Sequence, residues 1–102
     1  MKKTFAALLQ DERLVGDEAF EALHQGYLTA KNLLKQAKTE QATAKKAYQD
    51  SVESGGQTPI AKLAQRTHYR QSKCMYEFHA LGFELAKQKL YDWLEAWQQG
   101  QG

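Results

Sequence analysis

Glu21 and His24 stand three residues apart, the spacing at which a helix presents a carboxylate and an imidazole on one face and at which carboxylate-bridged di-metal bundles place their ligands. A full site of that kind draws on four helices around a common cavity, and only Glu84 lies near the same level on the other arm. One such pair among three histidines arises often without a metal, so the two are expected to be polar surface residues, with no metal and no cofactor. His79 falls beside Tyr76 and Phe83, while Glu77, two residues away, faces elsewhere; an interior or interface histidine is expected, not a catalyst. The one cysteine, Cys74, cannot form an internal disulfide and is expected as a small core residue. No Ser/His/Asp arrangement, glycine-rich phosphate loop or pair of catalytic acids occurs. The expectation is a protein that binds, and not an enzyme.

Charge is divided along the chain. Residues 31–73 hold nine cations against three carboxylates, a net +6, and the remainder holds five against nine, a net −4. The overall +2 selects no partner class; the distribution matters more. Lys31, Lys38 and Lys45 share one heptad column, and Arg66, Arg70 and Lys73 line one side of a later helix, with His68 and Tyr69 beside them. A basic row with an interleaved aromatic is suited to gripping phosphates and stacking a base. Lys38, Lys45, Arg66, His68, Arg70 and Lys73 are therefore candidate contacts for nucleic acid or an acidic partner. No helix-turn-helix or zinc-finger pattern accompanies them. A solvated face, or self-association that sets basic ends against acidic ones, is the preferred account of the charges, and nucleic acid is the second reading.

These residues must be positioned by helices. Of 102 residues 42% are hydrophobic and 25% charged, a globular composition. The single proline, Pro59, follows Thr58, a good N-cap, at the first helical position, where a missing N–H costs nothing. Ser54-Gly55-Gly56 gives the preceding helix a place to end. The elements expected are a short helix over about 4–10, a long helix over about 17–53, a turn at 54–58 and a long helix over about 59–98, with Gln98 to Gly102 frayed, all in one helical domain.

Periodicity gives the two long helices their faces. In the first, Phe20, Leu23, Tyr27, Ala30, Leu34, Ala37, Gln41, Ala44, Tyr48 and Ser51 step by threes and fours. The second carries two such seams. Ile60, Ala64, Thr67, Gln71, Cys74, Phe78, Leu81 and Leu85 form one, which pairs with the first helix when facing positions total about 111, as in an antiparallel hairpin. Tyr69, Tyr76, His79, Phe83, Ala86, Leu90, Trp93 and Trp97 form the other, with Ser72 filling the remaining step, about 150° away. On this reading the aromatic seam points away from the first helix, is covered in part by Phe5, Leu8 and Leu9 near Leu90 to Trp97, and is otherwise a partner interface. A second copy is the simplest partner, making a dimeric helical bundle; an unidentified protein is the other.

The opening Met1 to Leu9 has an apolar run too short for a signal peptide, and no stretch approaches the ~20 apolar residues of a membrane span. A cytoplasmic protein without membrane contact is expected. In length and hairpin layout the chain resembles the small secreted WXG-type proteins, whose turn carries Trp-x-Gly, whereas here the turn reads Glu53-Ser54-Gly55-Gly56-Gln57-Thr58. With bacteriocin immunity proteins it shares size and helical class alone. Neither resemblance assigns a family.

Overall fold

The computed structural model describes residues 4–56 and 58–101; Met1 to Lys3, Gln57 of the expected turn, and Gly102 lie outside the described residues. The chain is all-α. A short helix α1 (Phe5–Leu9) and a 3-10 turn (Glu12–Leu14) precede two long helices, α2 (Glu18–Ser54) and α3 (Pro59–Gln101), which pack against each other. Among the described residues there is no strand. At the C-terminus α3 continues to Gln101, three residues past the expected end near Gln98. No proline interrupts the helix between Pro59 and that point.

Helix starts fall on side-chain caps. Thr4 Oγ1 accepts from the Ala7 N–H at 3.2 Å, the Asp17 carboxylate from Phe20 N–H at 3.0 Å, and Thr58 Oγ1 from Ala61 N–H at 3.2 Å. Each satisfies a first-turn donor that has no partner within its helix, an effect worth about 1 kcal/mol. Glu21 reaches back over the start of α2 and accepts from Gly16 N–H at 3.3 Å. At the other end, α2 stops at Gly55 with φ +66°, in the left-handed region that glycine enters without a Cβ clash.

The core is concentrated at the open end of the hairpin. Leu8, Leu14, Phe20, Leu90 and Leu94 are buried together, and Phe5, Leu9, Leu23, Tyr27, Trp93 and Trp97 pack around them. Arg13 ties this end down from outside: its guanidinium lies 4.9 Å from the Trp97 ring centroid and bridges to Asp11 at 2.8 Å. The hydrogen bonds that Arg13 donates to the Asp11 carboxylate raise its pKa, and a guanidinium is charged in any case, so a cation faces the indole. Toward the turn the core thins to Ala37, Ala44 and Ser51 on α2 and Ser72 on α3. These small side chains let two helices approach closely where little else supports them.

Ring contacts across the hairpin join Tyr48 to Tyr69 (5.9 Å), Tyr27 to Phe83 (5.4 Å) and Phe20 to Trp93 (6.0 Å). Those pairs total 117, 110 and 113, so the helices run antiparallel close to the expected level. The expectation for which face of α3 meets α2 is corrected. The aromatic seam turns inward, and the seam from Ile60 to Leu85 turns out to water: Ile60 is 80% exposed, Phe78 67% and Leu81 61%. The physical reason lies on α2, whose Ala37, Ala44 and Ser51 leave room that large rings fill better than Thr67, Gln71 or Cys74 would. Leu90 and Leu94, enclosed by the N-terminal segment, fix the same rotation from the other end.

Candidate interaction face

The outward seam of α3 is the feature left over once the fold has been accounted for. Ile60, Leu63, Met75, Phe78, Leu81 and Leu85 all lie between 49% and 80% exposed. Their spacing of threes and fours gathers them, with Ala64, Thr67, Gln71 and Cys74, into one stripe along the back of the helix. Single exposed apolar residues are ordinary on soluble proteins; a stripe of six large ones on one helix is not. Cys74 is exposed within it, which corrects the expectation of a core cysteine facing Ala37; the rotation of α3 carries it outward.

The stripe is edged by charge of both signs. On the helical wheel Arg70, Glu77 and Glu84 recur every seven residues along one margin. Arg70 lines a shallow apolar depression with Thr67, Gln71, Cys74 and Met75. A second groove, between the helices, is walled by Thr39, Glu40 and Thr43 from α2 and by His68, Gln71, Ser72 and Met75 from α3.

The aromatic candidates sit elsewhere than expected. Leu90 is fully enclosed, Trp93 and Trp97 pack on the core, and Tyr69, Tyr76, His79 and Phe83 are half-buried on the side of α3 that faces α2. His79 meets Phe78 edge-on at 5.5 Å. These residues hold the hairpin together within the chain. Leu94, which belongs to neither seam on sequence, is completely buried; its position four residues after Leu90 was the available signal.

The basic candidates Lys38, Lys45, Arg66, His68, Arg70 and Lys73 are all exposed. By helical phase and register, Lys45 comes level with Arg66 and Lys38 with Lys73 on one side of the rod. His68 is on the opposite side, in the groove with Glu40. Tyr69, the aromatic expected to stack a base, is engaged with Tyr48 instead.

Glu21 and His24 do not converge on a cavity between helices. Glu21 is occupied at the start of α2, and the His24 ring stacks between Phe20 (5.2 Å) and Tyr27 (6.5 Å); Glu21, His24 and Phe20 line an open cleft beside Leu14 and Val15. Among the described residues no three His, Cys, Asp or Glu side chains gather as metal ligands would. Among them, too, no helix is long and apolar enough to cross a membrane. In comparisons with protein families, with curated proteins and with solved structures, nothing matches this chain.

Proposed function

We propose that this protein is a small helical interaction module, an adaptor, inhibitor or regulator, that docks a protein partner on the outer face of α3. One observation carries the reading: the stripe from Ile60 to Leu85 leaves large apolar side chains in water along most of a long helix. Such a face supports the helix-in-groove or helix-on-helix mode of recognition, in which anchors at three- and four-residue spacing supply the binding energy. The reading is of a binder and not a catalyst. Its test is capture from the native host with wild type and with a Phe78→Glu, Leu81→Glu double variant, each checked for helicity by circular dichroism. Loss of every specifically retained protein, second copies of the chain included, with helicity intact supports the reading; retention unchanged by the double variant overturns it.

Nucleic acid is the alternative, favoured by the cations of α2 and α3 that share one side of the rod. It ranks second because Tyr69 and His68, the residues that would stack or grip a base beside them, point elsewhere. On this alternative, Arg66→Ala with Arg70→Ala weakens binding to all sequences alike and reduces the salt slope by about 2. Wild-type binding by that variant removes it.

A further inference from the structure

We infer that the occupant of the α3 face is a second copy of this chain, lying antiparallel so that the two α3 helices pack back to back about a two-fold axis near Gln71 to Cys74. This rests on the interaction-module reading above and names its partner. Area and charge carry it.

The exposed surface of the chain is 7597 Å². A compact monomer of this mass exposes about 5,800 Å², so the rod holds an excess on the order of the surface one protomer gives up in a stable interface. The stripe has the right size. From Ile60 to Leu85 it covers about 38 Å of helix, and half the side of a cylinder about 11 Å across and that long is roughly 650 Å². Standard interfaces take about 800 Å² from each partner. The rims of the neighbouring groove, Thr39 and Thr43, lie close enough to add to it.

Charge chooses both the partner and its direction. Lys62, Arg66, Arg70 and Lys73 precede every carboxylate of α3, whereas Glu77 and Glu84 follow them, with Lys87, Lys89, Asp92 and Glu95 beyond. A parallel pair would set four cations at the level of their own copies, with no carboxylate of α3 at that end. An antiparallel pair centred between Gln71 and Cys74 instead brings Lys62 level with Glu84 and Arg70 level with Glu77 of the second copy, and leaves Lys73 alone near its own copy. Ile60 then meets Leu85 of the second copy, Ala64 meets Leu81, Thr67 meets Phe78, and Gln71 meets Cys74, placing a small or polar residue against a large one in the middle layers. Along the margin Arg70 comes beside Glu77 of the second copy, and two-fold symmetry makes that pair twice. A single self-complementary stripe thus covers its apolar side chains and pairs Arg70 with Glu77 at one register.

Sedimentation equilibrium at micromolar concentration is the first measurement, and a mass of two chains is expected. Direction is read by cross-linking in a Cys74→Ala background. Chains carrying Ile60→Cys mixed with chains carrying Leu85→Cys form a mixed disulfide in the antiparallel pair, and neither forms one with itself. Self-cross-linked Ile60→Cys chains would instead show a parallel pair and overturn the proposal. Arg70→Glu is expected to weaken self-association about tenfold, and Arg70→Glu with Glu77→Arg to restore it, because the exchange leaves attraction intact. This rescue separates pairing from a folding defect. A wild-type chain that sediments as a monomer also overturns self-pairing. If the Phe78→Glu, Leu81→Glu variant still loses a different protein in capture, the broader reading stands without it; if nothing depends on the face, both fall.

Discussion

Leu94 has no exposed surface and sits where α1, the 3-10 turn, α2 and α3 share one cluster. Truncating it leaves a cavity that a thin rod has little surrounding structure to refill. Leu94→Ala is expected to cost about 2–5 kcal/mol, read by urea denaturation, against the 5–15 kcal/mol that holds a small domain together. Phe78→Ala, on the outer face, is expected to cost the isolated chain less than about 0.5 kcal/mol, since exposed side chains away from special features contribute little. The contrast between the two distinguishes the inner from the outer face of α3 without reference to any partner. Gly26 offers the opposite sign. A Cβ placed there meets nothing within 4 Å, and its φ is ordinary. Gly26→Ala is expected to stabilise the protein by about 1 kcal/mol by removing the helix penalty of glycine, raising the thermal midpoint.

At the level of the helices, ends and levels were legible, and one rotation was not. Thr58 and Gly55 announce their helix boundaries chemically, and the structure uses both as caps; Thr4 and Asp17, legible only as the starts of their helices, are N-caps as well. Replacing Asp17 by Ala removes the acceptor for Phe20 N–H and is expected to cost about 1 kcal/mol, followed by the same denaturation measurement. The seam of α2 could be read because it is the single stripe on that helix with unbroken three-and-four spacing. On α3 two stripes have that spacing, so periodicity alone does not choose between them. The choice is made by size and by a third element: small residues on α2 accept large rings, and the N-terminal segment encloses Leu90 and Leu94. Spacing describes one helix at a time, whereas rotation is a property of the whole set. The candidate face was therefore present in the sequence as the seam assigned to the interior. The basic side survives the rotation because surface charge depends only on where the core is not, though its aromatic neighbour Tyr69 does not stay with it.

Seen whole, the molecule is a rod 66 Å long and about 20 Å across, with a radius of gyration of 20.2 Å where a compact chain of this length has about 13 Å. Removing residues 4–14 would uncover Leu90, Leu94, Trp93 and Trp97 at one end. The expected outcome is loss of more helical signal than the deleted residues supply, measured by circular dichroism, together with dye binding to the freed aromatic surface. The same geometry fixes how the molecule responds to force. The N-terminal segment and the end of α3 meet at the open end, so tension applied to the two ends of the chain pulls α3 away from α2 across the rod instead of sliding one along the other. Contacts then break one helical turn at a time, beginning with the densest cluster. Beyond it lie mainly small side chains and the Tyr48–Tyr69 pair, which offer less resistance than what has already yielded. Stretched by its ends, the protein is built to hold until a single clasp opens and then to unzip to the turn.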